Sequence, residues 1–531
     1  MQELVFRLGD PAYTLLHRAG LAGLYMTLKQ LEQEKITPVE GMQWDLSNPR
    51  QVVLRWEGQD QKSLAWLLHE SFQLNEGLIS LRGLDSRSMR VDAQAIVHQG
   101  ILGTFLQHNS THKADGVTTQ SFQFEGEDAV QTQVSYKKLR SYVYQDFASN
   151  LCDDQGNFLR KPISVAGWLN PGAVVRHVAF SANTSFEETP ENALVLLFAP
   201  VACYYYTLRS RLRDKRAQYA LVVPEILDLQ QYAKYRQNTN LRNAAYQDFY
   251  ACGLGDAGLR FLTYETTVRL ANTFPVPRCQ VLTLGTVAWA TQQKTRTDLY
   301  VVEANATVCH NYQVCRDFLR DKPVKSKEGA FIASSFAREL ITENLRRSQP
   351  WYTGIADKVN SNELFQRLAY ERGGLYKVMQ KVQTDEREKQ FVRTCHEALY
   401  YTYGQTAAKT KQGEEPNFDK VTVRIRTSLG RCKNAASFRE FIADFWSRAG
   451  KLPTLKDHWQ ELMQFVIQEN QWKKSRDLAL LALASYPGKV VMRQLLGEES
   501  AEDDIDQEPP QEQAFDQEPP QEQASVLGWD D

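Results

Sequence analysis

Residues 202–223 read ACYYYTLRSRLRDKRAQYALVV. The three tyrosines continue an apolar run and belong to the core of a strand. Behind them Arg209, Arg211, Arg213 and Lys215 occupy alternate positions, followed by Arg216. On extended backbone, side chains alternate between faces, so the four alternating cations share one face. Cations aligned in this way repel one another unless an anion lies opposite. The competing reading is a hairpin, YYYTLRS paired with AQYALVV, whose solvated turn is basic. Both readings put β structure at the middle of the chain.

Working outward, the sequence predicts an α+β chain: a mixed α/β N-terminal body, then a C-terminal helical bundle and a disordered acidic tail. At 531 residues there is room for two to four domains at roughly 100 to 200 residues each. The first helix is signalled by Asp10 as N-cap and Pro11 at N1. Leu21, Leu24, Tyr25 and Leu28 follow at helical spacing, with His17 near the apolar face as a core residue. Gly20 and Gly23 weaken this helix but permit close approach by another element. Strand-like runs (QVVLRW, GLISLRG, SFQFEG, VSYKKLRSYVYQDF) surround a helix, DAQAIVHQGILGTFLQH, and complete a region spanning 1–150. A β-rich mixed region, 151–330, contains NALVLLFAPVACYYYTLRS and VLTLGTVAWATQ.

A connecting segment, 331–360, leads to the bundle at 361–497. There Phe391, Cys395 and Leu399 mark one helix. Phe438, Phe441, Ile442 and Phe445 mark another, ended by Gly450 and Pro453, and Trp459, Leu462, Met463 and Val466 a third. These aromatics read as core. The tail, 498–531, repeats IDQEPPQEQA as FDQEPPQEQA. Paired prolines among Gln and acids bury too little apolar surface to fold, so the segment is expected to be disordered, either a solvated spacer or a peptide handle.

The formal net charge of -2 conceals an uneven distribution. The tail holds 13 of the 64 acidic residues and none of the 62 basic ones, so residues 1–497 carry a net +11. A basic body favours a polyanionic partner, and an acidic segment is a common way to moderate such a surface. Eight cysteines without framework spacing predict free thiols. The start MQELVFRLGD lacks a secretory pattern. The longest nearly apolar run, ALVLLFAPVACYYY, is 14 residues, shorter than the roughly 20 of a spanning helix. The expectation is a soluble cytoplasmic protein with no membrane association.

Catalytic motifs are scarce. Gly253, Gly255 and Gly258 match GxGxxG, but a dinucleotide site needs a strand before the loop and an acid about 20 residues on. The preceding LRNAAYQDFY reads helical, which makes the triplet a helix–helix turn. His108 with His112, and Cys309–His310 with Cys315, lack the paired spacing of zinc sites. There is no GxSxG elbow, Walker loop or adjacent His-Asp pair. The expectation is a protein that is not an enzyme and uses no cofactor or metal. A nucleotide-dependent enzyme built on the glycine triplet, or an interaction scaffold acting through the tail, is the alternative.

Binding remains. Beside the opening stretch, basic clusters comprise Lys137, Lys138 and Arg140; Arg160 and Lys161; Lys322, Lys325 and Lys327; Arg346 and Arg347; and Arg424, Arg426, Arg431 and Lys433. With the net +11 they point to an extended anionic partner. In GTFLQHNSTHKADG, a helix ending at Gln107, His108 and Asn109 precedes a loop with His112 and Lys113. Amide side chains on such a loop suit base-edge reading, and a capping turn is the other reading.

Taken together, RLGDPAYTLLHRAGLAGLYMTL (7–28), GILGTFLQHN (100–109), GWLNPGAVVRH (167–177) and the tyrosine–arginine stretch make the chain resemble the large subunit of type I CRISPR interference complexes (Cascade). The likeness is to the Myxan-type, type I-B-like branch, which includes CRISPR-associated transposons. It runs through most of residues 1–480, and the tail has no counterpart in it. The resemblance implies a non-catalytic subunit of a ribonucleoprotein for RNA-guided DNA targeting in antiviral defence. Its partners would be crRNA, target double-stranded DNA and the backbone, handle-binding and small subunits, followed by a helicase-nuclease or a transposition targeting protein.

The same resemblance implies reading of a protospacer-adjacent motif (PAM), strand opening into an R-loop, and a C-terminal bundle like the small subunit that holds the displaced strand. Gln107, Asn109, His112 and Lys113, with the turn Asn170 to Arg176, become candidates for motif reading and strand wedging. Arg209, Arg211, Arg213 and Lys215 become a backbone clamp, with Arg424, Arg426 and Arg431 for the displaced strand. The resemblance also suggests separate translation of a small subunit from Met379, just after ERGG (371–374).

Overall fold

The computed structural model describes residues 1–497 apart from 86–88, 124–130, 172–185, 209–217, 239–245, 264–277, 290–291, 327–328 and 412. The chain divides into two compact units, Met1–Lys389 and Gln390–Asp531.

The first unit begins with β1 (Gln2–Arg7), α1 (Leu15–Gln33), β2 (Gln43–Asp45) and β3 (Gln51–Trp56), whose strands form an antiparallel sheet in the order β1-β3-β2. The α1 helix is capped by Thr14, not Asp10. The Thr14 side chain accepts from the His17 backbone and the His17 ring returns to the Thr14 N–H. Asp10 instead accepts from Ala12 N–H at 2.9 Å, a turn that an Asp before Pro favours as readily as a cap. His17 is a core residue, its Nε2 lying 3.2 Å from Glu188. The two glycines act as expected: a Cβ on Gly20 would lie 2.2 Å from the Val195 carbonyl oxygen, and one on Gly23 2.0 Å from that of Phe198.

Next come α2 (Asp60–Ser71), the hairpin β4 (Phe72–Asn75) and β5 (Leu78–Leu81), α3 (Val91–Thr104), and a long ribbon of β6 (His112–Gln123) and β7 (Gln131–Tyr142). A short pair, β8 (Ile163–Val165) and β9 (Phe186–Glu188), precedes α4 (Pro190–Leu197) and α5 (Ala199–Ala202). The apolar run expected to be β-rich is therefore mostly helical. Thr189 caps it and Pro190 occupies N1, and a short, wholly buried helix shows no periodicity to separate it from a buried strand.

The central sheet contains β10 (Tyr204–Leu208), β11 (Gln218–Pro224), β12 (Tyr250–Ala251), β13 (Arg278–Trp289) and β14 (Gln292–Glu303) in the order β12-β10-β11-β13-β14, with only β10 and β12 parallel. Every residue of β10 is buried, so the tyrosines are strand core. The register Leu208↔Gln218 makes β10 and β11 a hairpin. Its connection, with Arg209, Arg211, Arg213, Lys215 and Arg216, lies outside the described residues. Between β11 and β12 runs α6 (Leu229–Asn238), and α7 (Leu254–Leu262) follows β12. The unit ends with α8 (Ala306–Phe318), the hairpin β15 (Lys322–Ser326) and β16 (Gly329–Ala333), α9 (Phe336–Leu345), α10 (Asn362–Ala369) and α11 (Arg372–Lys381). Glu371, just before α11, accepts from the Phe336 and Ala337 N–H groups at the start of α9.

The second unit is helical among its described residues: α12 (Glu386–Lys409, entering from the first unit), α13 (Phe418–Arg431), α14 (Ala435–Ala449), α15 (Pro453–Asp457), α16 (Trp459–Ile467), α17 (Trp472–Ala484) and α18 (Lys489–Leu496). Phe391, Cys395 and Leu399 point inward from α12, and Phe438, Ile442 and Phe445 from α14. Gly450 ends α14 at φ +84° and Pro453 opens α15. Trp459 departs from the expected core stripe. It is 56% exposed while Leu462 and Val466 of the same helix are buried.

Candidate nucleic-acid interface

Gln107, Asn109, His112, Lys113, Lys137, Lys138 and Arg140 gather around the base of the β6–β7 ribbon. Leaving α3, the chain makes a short 3-10 turn over Asn109–Thr111 and enters β6 at His112. His112 and Lys113 are thus strand residues and do not sit on a projecting loop. Thr111 is buried and its hydroxyl hydrogen-bonds the His108 carbonyl at 2.6 Å, which fixes the entry. Gln107 donates both to Gly103 O (2.6 Å) and to Leu284 O (2.7 Å), so its amide hydrogens tie α3 to β13. Asn109 and Lys113 are exposed, His112, Lys137 and Lys138 half-buried, and Arg140 exposed beside Asp115 at 3.3 Å. Burial, with the Lys137 cation as a smaller cause, pushes the His112 pKa down to about 4. Asn170 is buried at its turn, and Arg176 lies outside the described residues.

The α3 helix holds the ribbon by two side chains. Gln99 donates to Ser135 O at 2.9 Å, and His98 Nε2–H donates to Lys137 O at 2.7 Å while its Nδ1 accepts from Ile79 N–H at 3.1 Å. Both ring nitrogens are used by the neutral tautomer, and burial pushes the His98 pKa down to about 4. On the inner face of the ribbon Tyr136 packs with Leu78 and Ala95, and Phe122 lies against them.

The outer face went unnoticed in the sequence. Gln123 faces Gln131, Ser121 faces Gln133 and Thr119 faces Ser135; all six are exposed. Each offers a hydroxyl or amide that donates and accepts, and none is charged. The signal was the polar alternation T-x-S-x-Q and Q-x-Q-x-S, only part of which falls within the strand-like runs SFQFEG and VSYKKLRSYVYQDF.

In the second unit, Val421 and Leu429 bury one face of α13. Lys420, Arg424 and Arg431 are exposed, and their spacing of four and seven residues places them on one stripe. No acid stands three or four residues from any of them on the helix. Arg426 is half-buried, faces another direction and is engaged elsewhere. Lys420, absent from the sequence-derived set, completes the stripe, and Lys433 is exposed just beyond it.

The glycine triplet belongs to a different arrangement. A short strand, β12, does precede it, where sequence reading expected a helix. The loop, however, is filled by the chain's own Asp256, which accepts from Cys252 N–H at 3.0 Å, where a phosphate would need that donor. A Cβ on Gly258 would lie 2.7 Å from Val302 Cγ2, and one on Gly255 3.1 Å from the Thr342 carbonyl oxygen. These glycines serve close packing. Asp256, fully buried, also accepts from Tyr312 Oη (2.7 Å) and pairs with Arg338 Nε (3.3 Å). Arg338 and Arg260 both reach Asp321, at 2.6 and 3.3 Å. Burial acts to raise the Asp256 pKa, but the two guanidiniums outweigh it and hold the carboxyl below the usual range. Among the described residues no group of three or more His, Cys, Asp or Glu is placed to hold a metal ion, and no helix is long and apolar enough to cross a membrane.

The DevT N-terminal domain matches residues 5–197 and the DevT C-terminal domain residues 380–522, together well over half of the chain. The CRISPR-associated protein Cas8a1/Csx13 of Myxococcus xanthus is 28% identical over 527 residues, spanning 92% of this chain and 89% of that protein. With both DevT domains in order and this near full-length relative, the chain belongs to the DevT family and is a Cas8-type CRISPR-associated large subunit.

Proposed function

We propose that this large subunit is the non-catalytic PAM-reading and strand-opening component of a crRNA-guided type I Cascade, acting in DNA interference or RNA-guided transposition. One observation carries the reading: the ribbon presents an uncharged hydrogen-bonding face whose base bears Lys113, Lys137, Lys138 and Arg140. A two-stranded ribbon fits the major groove, where Gln, Ser and Thr read base edges, while Lys and Arg hold phosphates without regard to sequence. The connection 124–130 carries Glu125, Glu127 and Asp128, so the anionic DNA backbone is favoured at the base of the ribbon and not at its tip. Base pairing with the guide supplies target specificity, leaving a few groove contacts and phosphate clamps to the protein. The α13 stripe is assigned to the displaced strand. Arg209, Arg211, Arg213 and Lys215 are assigned to the backbone of the RNA handle or target DNA, and Asn170 to Arg176 to strand wedging.

The test uses the chain assembled with crRNA and its partner subunits, on target duplexes differing only in the flanking base pairs. Ser121→Ala with Gln133→Ala should shrink the affinity difference between good and poor flanks by about tenfold, as loss of base readout does. Lys137→Glu with Arg140→Glu should weaken all duplexes alike and lower the salt slope by about one per contact. Unchanged flank discrimination in the first variant would sink the assignment of the ribbon.

A further inference from the structure

We propose that the acidic segment 498–531 docks on the α13 stripe of its own chain and competes there with nucleic acid, the competition resting on the displaced-strand assignment above. Charge complementarity is the first argument. Residues 390–497 carry 17 Lys and Arg against 10 Asp and Glu, and the 34 residues that follow carry 13 acids and no base. Lys420, Arg424 and Arg431 have no acid three or four residues away on their own helix, so three of these cations form one line along α13.

Geometry is the second. The segment leaves from Gly497 at the end of α18. Arg393 on α12 donates to Leu495 O at 3.1 Å, and α12 touches α13 through Tyr403 Oη and Thr422 Oγ1 at 2.7 Å. The point of departure is thus linked to the stripe through one intervening helix, within the same unit. A chain of 34 residues reaches up to about 110 Å, against about 30 Å for the diameter of a unit of this size. The span also matches. Eleven helical residues set Lys420 about 16 Å from Arg431, and Asp506 to Glu512, extended, covers about 20 Å. The duplicated decapeptide repeats that triplet of acids as Asp516, Glu518 and Glu522, giving two equivalent occupants for one site and raising the effective concentration of the anion.

Two measurements on the full chain test this. Carbodiimide, which joins only touching amines and carboxylates, should link Lys420 or Lys433 to acids of 498–531 at low salt, and the links should vanish at high salt. Deleting 498–531 should tighten binding of a 30-nucleotide single strand about five- to tenfold, read by fluorescence anisotropy. A synthetic 498–531 peptide added in trans should reverse the gain. Absence of those cross-links, or equal affinity with and without the segment, overturns the proposal. If neither form binds the strand while the cross-links form, docking stands and the competition falls together with the displaced-strand assignment.

Discussion

Among the described residues, four of the five buried arginines lie in the first unit and one, Arg476, in the second. In the first, guanidiniums are drawn inside. Arg338 and Arg260 share buried carboxylates, Arg82 bridges Glu34 and Glu70, and Arg236 lies 3.6 Å from the Tyr204 ring centroid while donating to Cys203 O. In the second, Arg424 and Arg431 stand in solvent with no acid beside them. A basic residue count therefore says little about where binding occurs; what matters is which cations are already neutralised by the fold. Arg346 illustrates this. It belongs to a basic pair in the sequence, yet it stacks 3.6 Å from the Tyr300 centroid and pairs with Glu343.

The largest effect should come from breaking the buried arrangement. Arg338→Ala leaves Asp256 and Asp321 short of a counter-charge in the interior, at a cost of about 3 to 5 kcal/mol. Hydrogen exchange on the intact chain should show lost protection in the first unit and none in 390–497. Replacing Arg338 and Asp256 together by Met and Leu should cost less than Arg338→Ala alone. If the single variant is as stable as the parent, the network is not what ties α7, α8 and α9 together.

A smaller effect concerns acid. His98 has a pKa near 4 in the fold against about 6.5 unfolded. The unfolded chain therefore takes up the proton first as pH falls. The contribution is complete above pH 6.5 and is lost between 6.5 and 4, reaching at most about 3 kcal/mol. Protonation puts a hydrogen on Nδ1, against Ile79 N–H, so β5 should lose its hold on α3 while the bond to Lys137 O of β7 remains. His396 has the same pKa by burial, with Nε2 bonded to Ala482 O at 3.0 Å, so each unit should loosen over the same window. His98→Gln should flatten the pH dependence of exchange in 78–81 and leave that of 472–484 unchanged. Equal flattening in both segments would contradict the independence of the two histidines.

Much of the fold was legible because apolar periodicity reports burial directly: α1, α3, α12 and α14 fall where their stripes put them. The helix pair at 190–202 was not legible, since full burial erases the period. Asp256 and Arg338 were invisible because they lie 82 positions apart in the chain and neither shows in sequence that it is buried. For the candidate interface, sequence identified the exposed cations Lys113, Arg140, Arg424 and Arg431. It included Gln107, whose amide is spent on backbone, and Arg426, which lies off the stripe. The polar outer face of the ribbon was missed because Ser, Thr and Gln carry no formal charge to draw attention, and their alignment depends on a cross-strand register that sequence alone does not set.

The smallest effect separates the two uses of arginine most cleanly. Arg424→Glu with Arg431→Glu alters only solvated side chains, so stability should stay within about 0.5 kcal/mol of the parent. If the stripe holds a single strand, removing two phosphate contacts should lower the salt slope by about 1.4. That corresponds to roughly tenfold weaker binding at low salt. Arg346→Glu should do the reverse: lower stability, because a stacked and paired guanidinium is lost, and an unchanged salt slope. A chain in which both variants shift the slope equally would show that Arg346 reaches the ligand despite its partners, and that a cation neutralised within the fold is still available to bind.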